Sequence, residues 1–339
     1  MVNLDWGKLP FGYVKTNYNV RSYFRNGAWT KLEATDSEII PIHMAATALH
    51  YGQTAFEGLK AYKGKDGKVR LFRWNENAHR MQSSADGVMM AAPSDELFKE
   101  ACFEVIKKNI DFVPPYGTGA SLYLRPLLIG TGARVGVKPA DEYLFMIFVT
   151  PVGPYFKEGF KPTNMMLAPD YDRAAPLGTG RYKVGGNYAA SLKPGEIAHA
   201  KGYSAALFLD AKEKKYIDEA GPANFFGIRN NTYITPDSTS ILPSITNMSL
   251  MTIAQDLGIK VERRHVPLEE LSTFEEAGFC GTAAVISPIG KIVDEVNKHE
   301  WVFSKDGNAG PISTKLYQAL IDIQYGNAPD THNWVTIVE

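Results

Sequence analysis

Lys183 is set apart from the other charged residues of the chain by its neighbours. It lies in Gly178-Thr179-Gly180-Arg181-Tyr182-Lys183-Val184-Gly185-Gly186-Asn187-Tyr188, among four glycines and two tyrosines and off any charged helical face. A lysine amine becomes nucleophilic when desolvation lowers its pKa, and glycines let a bulky ligand come close to the backbone. A solvated loop lysine would have the same neighbours, so the residues alone leave both readings open. Ile217 to Phe226 carries an acid pair, Asp218-Glu219, at the end of a short strand before a tight turn; a plain surface turn acid fits that pattern too. Ser244-Ile245-Thr246-Asn247 opens a helix whose first N–H groups form an anion site, or are met only by caps and water. Gly130-Thr131-Gly132-Ala133-Arg134-Val135-Gly136 follows an apolar strand, but its third glycine is one place late for a dinucleotide fingerprint, and no βαβ context surrounds it.

The elements that must position these groups alternate without strict βαβ order. Arg21 to Pro41 reads as a hairpin turning at Asn26-Gly27, and Lys60 to Arg73 as a second one turning through Gly64-Lys65-Asp66-Gly67. Ser94 caps a helix whose apolar face runs Leu97, Phe98, Ala101, Cys102, Val105, Ile106. Ser121–Ile129 and Glu142–Val149 read as buried strands, as do Ala205–Ala211 and Ala223–Arg229. Thr246–Leu257 reads as a helix closed by Gly258. The expected class is therefore α+β. The Pro- and Gly-punctuated stretch from Asp170 to Gly180 reads as an ordered interdomain loop.

Composition narrows the function classes. The 339 residues carry 36 basic and 37 acidic side chains, a net charge of −1 that offers no electrostatic footprint for nucleic acid or an anionic membrane. The most apolar run, Tyr143–Val149, is far shorter than the ~18 residues a spanning helix needs, and no secretory signal is visible at the N-terminus. Cys102 and Cys280 form no CxxC and no Cys/His cluster, so neither a disulfide framework nor a metal site is expected. A cytoplasmic protein acting on small molecules is the expectation.

Taken in order, the segments resemble the branched-chain amino-acid aminotransferases. His50 to Tyr62 (HYGQTAFEGLKAY) is similar to their early motif, and Tyr182 to Tyr188 to their cofactor-lysine motif. Asp218-Glu219-Ala220-Gly221 through Asn224-Phe225, then Leu242 to Thr246, then Gly281-Thr282-Ala283-Ala284 resemble the remaining three. The resemblance runs from about Phe11 to beyond Pro311, and its wording is nearer the mammalian-like branch. It implies a pyridoxal 5′-phosphate enzyme of the fourth fold type, with a small α/β domain over residues 1–165, a loop over 166–180 and a large pseudo-barrel domain over 181–339. It further implies a homodimer that transaminates L-leucine, L-isoleucine and L-valine with 2-oxoglutarate. A D-amino-acid aminotransferase or an aminodeoxychorismate lyase of the same fold type is the alternative.

Carried over by position, the resemblance makes Lys183 the residue joined to the cofactor aldehyde and the proton shuttle. It sets Glu219 against the pyridine nitrogen and Tyr188 against the phenolic oxygen. Arg80, the N–H groups of Ile245 and Thr246, and Thr282 would hold the phosphate. Phe11, Tyr51, Phe56, Tyr123 and Tyr155 would wall the substrate pocket, with Arg125 nearby and Ala283 beside Thr282 as turn donors to the carboxylate. One departure is expected to matter: Ala284 and Ser287 stand where mammalian members carry a redox-active CxxC pair.

Overall fold

The computed structural model describes residues 2, 4–154 and 159–338. Its contacts group into two units, Met1–Lys157 with Tyr182–Gly185 and Asp322–Glu339, and Glu158–Arg181 with Gly186–Ile321. Each combines a largely antiparallel sheet with helices, as the mixed order of elements predicts.

In the first unit β1 (Asn19–Arg25) and β2 (Ala28–Trp29) form the first hairpin, and Asn26 and Gly27 at its turn have φ of 52° and 80°. That left-handed geometry at both turn residues matches the twist of the strands it joins. There follow β3 (Glu33–Thr35), α1 (Thr47–Tyr51), β4 (Thr54–Phe56), β5 (Leu59–Lys63), β6 (Val69–Phe72), α2 (Trp74–Gly87), α3 (Asp95–Lys108), β7 (Ser121–Gly130) and β8 (Tyr143–Val152). The sheet runs Val335–Ile337, β6, β5, β7, β8, β1, β2, with β3 on β1 and β4 on β7. At the start of α3 the Ser94 Oγ accepts from the Leu97 N–H at 3.2 Å, with Asp95 and Glu96 in the first turn where the helix dipole favours acids.

Ser121–Ile129 is near-continuously apolar as sequence, yet it has two distinct faces. Leu122 and Leu124 join the core that α2 and α3 cover with Met81, Ala85, Phe98 and Val105. Strand alternation therefore sends Tyr123 and Arg125 to the other face. Tyr123 pairs with Lys60 on β5 and with Thr150 on β8, and Arg125 pairs with Phe148. Polar and aromatic side chains thus share the face turned away from α2 and α3.

The second unit contains β9 (Thr163–Leu167), α4 (Gly185–Ala200) from its second residue on, β10 (Ala205–Leu209), β11 (Ile217–Ala220), β12 (Ala223–Arg229), β13 (Thr232–Pro236), α5 (Ile245–Asp256), β14 (Lys260–Arg264), β15 (Glu276–Gly281), β16 (Val285–Asp294), β17 (His299–Val302) and α6 (Pro311–Tyr325) as far as Ile321. Pairing follows β11, β10, β9, β16, β15, β12 and returns to β11, closing a six-stranded barrel. Met165, Leu207, Phe225, Phe279 and Ile289 belong to its buried core. The sequence shows no sign of α4, because Gly, Ala and Ser dilute its periodicity and Pro194 lies inside it.

Candidate active site

Lys183 owes its setting to its two neighbours. Val184 is buried in the first unit's core, where it bridges Ala55, and Tyr182 packs against that core. Tyr182 sits so close to Gly87 that a Cβ there would fall 2.4 Å from its ring. The backbone is pinned on both sides: the Lys183 N–H donates to Ser84 Oγ at 2.9 Å, and its carbonyl accepts from the Phe56 N–H at 3.0 Å. The residue as a whole is half-buried, yet its amine is desolvated enough to fall from 10.5 to about 8. The neighbouring cations Arg80 and Arg125 lower it further, while Glu57 and Tyr123 pull the other way.

Glu57 has no solvent exposure. Its Oε1 accepts from Arg80 Nε at 2.7 Å, and its Oε2 from Arg80 Nη2 at 2.7 Å and Asn77 Nδ2 at 2.8 Å. This bidentate pair holds the Arg80 guanidinium in a fixed plane near the lysine. Lys183 Nζ lies 4.8 Å from the centre of the Phe56 ring, and the Arg125 guanidinium carbon lies 5.0 Å from the same ring and 5.4 Å from Tyr123. Gly58 makes room for the Tyr123 hydroxyl, which a Cβ would meet at 2.0 Å. Phe11 packs edge-on to Tyr123 at 5.1 Å. The first unit thus gathers Lys183, Arg80, Phe56, Tyr123, Arg125 and Phe11. Tyr51 is separate from them: it is 42% exposed, and its hydroxyl bonds to the Val135 carbonyl. Tyr155 lies outside the described residues.

In the second unit Asp218 and Glu219 are both 3% exposed, so neither is a surface turn acid. Glu219 Oε1 accepts from Asn224 Nδ2 and from the Leu242 N–H, both at 2.9 Å, and its Oε2 lies 3.0 Å from Arg173 Nε. Asn224 in turn accepts from Asn247 Nδ2 at 3.2 Å, and Asn247 accepts from the Tyr233 hydroxyl at 2.8 Å. The carboxylate is therefore fixed to the first turn of α5 through two amides. Asp218 turns aside to accept from Ser240 Oγ at 2.6 Å, and burial pushes its carboxyl up. At the start of α5 Ser244 accepts from the N–H groups of Asn247 and Met248. The N–H groups of Ile245 and Thr246 have no acceptor among the described residues. Thr282 and Ala283 occupy the half-buried turn between β15 and β16, and Tyr188 lies in the first turn of α4.

Each unit carries groups that suit the cofactor the sequence suggests. In the first, a desolvated amine suits an aldehyde; in the second, two N–H groups at a helix start with no acceptor among the described residues suit a phosphate dianion, and a rigid buried carboxylate suits a pyridine nitrogen. Glu57, Ser84 and Arg173 are not assigned roles by the sequence. Glu57 lies within the early motif, whereas Arg173 gives no local signal, since its partner is 46 positions away and the two meet only in the fold.

Residues 54–292 match the model of the amino-transferase class IV family, and the chain belongs to that family. It is 49% identical to a branched-chain-amino-acid aminotransferase of Haemophilus influenzae over the whole of both chains. Among solved structures, the branched-chain amino acid aminotransferase of Escherichia coli superposes with a TM-score of 0.80 at 30% identity, covering 96% of this chain and 100% of that one. The holo form of the Thermobaculum terrenum branched-chain enzyme, with pyridoxal phosphate, gives 0.79 at 25% identity, covering 96% and 99%. Pyridoxal 5′-phosphate is the cofactor of this class of enzyme. No helix among the described residues is long and apolar enough to cross a membrane.

Proposed function

We propose that the enzyme catalyses the reversible transamination of L-leucine, L-isoleucine and L-valine with 2-oxoglutarate. The observation that carries this is the desolvated Lys183 amine beside the Arg80–Glu57 pair, flanked by the rings of Phe56 and Tyr123. The name borne by the relatives, branched-chain amino acid aminotransferase, supports the amino-acid half of this reading. Bound pyridoxal phosphate supplies an electron-withdrawing ring that spreads negative charge from the substrate Cα. Lys183 would hold the cofactor through its Nζ, and the same amine, when free, would be the base that moves the proton at the substrate Cα. A pKa near 8 leaves that amine enough neutral base to do so close to neutral pH.

Glu219 would keep a proton on the ring nitrogen of the bound cofactor, and Tyr188 would face its phenolic oxygen. Arg80, the Ile245 and Thr246 N–H groups and Thr282 would hold its phosphate, and Ala283 would offer a turn donor to the substrate carboxylate. Phe11, Phe56 and Tyr123 would supply apolar walls that suit a branched aliphatic side chain, and the resemblance adds Tyr51 and Tyr155 to them. Arg125 Nε is buried with no acceptor among the described residues, which makes Arg125 the candidate partner for the second carboxylate of 2-oxoglutarate.

A small domain over 1–165, a loop over 166–180 and a large domain over 181–339 complete the reading, with the cytoplasm as location. A homodimer is part of it, and the exposed Met44, Leu49, Val135 and Val137 supply apolar surface for one. The test is a panel of L- and D-amino acids assayed with 2-oxoglutarate, together with borohydride reduction and peptide mapping. Branched-chain preference and cofactor mass on Lys183 are expected. Preference for D-alanine, or a label on another lysine, would overturn the assignment.

A further inference from the structure

Beside Tyr123 and Arg125 lies a cavity of about 220 Å³, walled also by Phe11, Tyr13, Phe148 and Thr150. Two of those walls, Phe11 and Tyr13, come from an irregular segment near the N-terminus. Phe11 is 50% exposed, so its place over Tyr123 depends on how the segment around it is held.

Two residues at the end of β8 hold it. Thr150 Oγ1 accepts from the Val14 N–H at 2.9 Å and donates to the Gly12 carbonyl at 3.2 Å, using its hydroxyl in both senses. On the other side of Phe11, Gly153 lies flat against Leu9: a Cβ there would stand 2.3 Å from the Leu9 carbonyl oxygen and 3.1 Å from two more backbone atoms. Backbone cannot give way as a flexible side chain can, so that contact requires glycine. Thr150 is also the cross-strand partner of Tyr123. The clip and the ring that Phe11 covers therefore share one row of the sheet, and the register of β7 on β8 decides where Phe11 comes down.

We propose that Thr150 and Gly153 are positioning residues: together they fasten the 9–14 segment as a strap, fix Phe11 over Tyr123, and so set the size of side chain that the pocket accepts. This rests on the transaminase reading for its substrate, though not for the strap itself. The experiment compares wild-type holoenzyme with T150V, which keeps the shape and loses the hydroxyl, T150S, which keeps the hydroxyl, and G153A. Hydrogen exchange of peptides covering residues 9–16 reads the strap directly. Exchange should quicken about tenfold in T150V and G153A and stay near wild type in T150S, as expected when a hydrogen bond and its local order are lost. In steady state, KM for leucine should rise about tenfold in T150V and G153A with kcat within about twofold, the signature of lost side-chain binding. Unchanged exchange in both variants overturns the strap. Faster exchange with unaltered KM overturns its role in selection. If T150V does not fold, G153A carries the same two readouts. If wild type fails to turn over leucine, the substrate reading falls, and the exchange data still decide whether the strap exists.

Discussion

Replacing Glu57 by glutamine would test whether the charge pair beneath Lys183 is a structural necessity. The Glu57 carboxylate is fully buried, and the Arg80 side chain is only 11% exposed. At a separation of 2.7 Å their attraction is about 6 kcal/mol for an effective dielectric of about 20, before desolvation is counted. Glutamine keeps the shape but removes the charge, and turns an amide N–H₂ toward guanidinium donors. Leaving one partner of a buried pair uncompensated costs about 3–5 kcal/mol. Urea unfolding of E57Q should show that loss in the transition that reports the first unit. A second consequence concerns the amine. Glu57 raises the Lys183 pKa while Arg80 and Arg125 lower it, so E57Q should move it below its present value of about 8. The pH midpoint for acylation of Lys183, read by mass spectrometry on enzyme freed of cofactor, measures this. A stability loss under about 1 kcal/mol would place the pair with exposed salt bridges. A midpoint that stayed or rose would refute the charge coupling.

Glu219→Gln should lower transamination at least about a hundredfold in single-turnover assays and destabilise the barrel, since it strands the buried Arg173; wild-type turnover would remove Glu219 from the reaction. Arg125→Ala should weaken glutamate and 2-oxoglutarate more than leucine, and an equal loss for all would make Arg125 structural. Lys60 is buried and desolvation lowers it from 10.5 to about 8, so it costs the fold about 3 kcal/mol below pH 8, a cost that fades as pH rises toward 10.5. Lys60→Met should therefore be more stable than wild type at pH 7, and the gain should shrink with rising pH; a pH-independent difference would contradict this. Cys102 and Cys280 are fully buried, and burial pushes both thiols up, Cys280 to about 12. Diamide should leave activity unchanged and form no intramolecular disulfide, while thiol-reversible inactivation would count against this.

Local signals were legible wherever one short segment contains its own physics. The Asn26-Gly27 turn, the Ser94 cap and the helix opened by Ser244 follow from residue types a few positions apart, and the structure has all three. The family itself was legible because five motifs recur in order along the chain. Tertiary structure decided what distance in sequence conceals. Residues 121–129 and 142–149 read as near-continuously apolar strands; only their pairing in the structure shows that one face builds the core and the other carries Tyr123, Arg125 and, just past the second run, Thr150. Burial of Lys183 follows from Tyr182 and Val184 entering a core contributed by residues about a hundred positions away, and no property of residues 178–188 states it. The Arg80–Glu57 and Arg173–Glu219 pairs are likewise products of folding, because a charge gains a partner of fixed geometry only when separate elements are packed together. Residue types determined which chemistry was possible; desolvation and pairing, which exist only in the packed chain, selected the residues able to perform it.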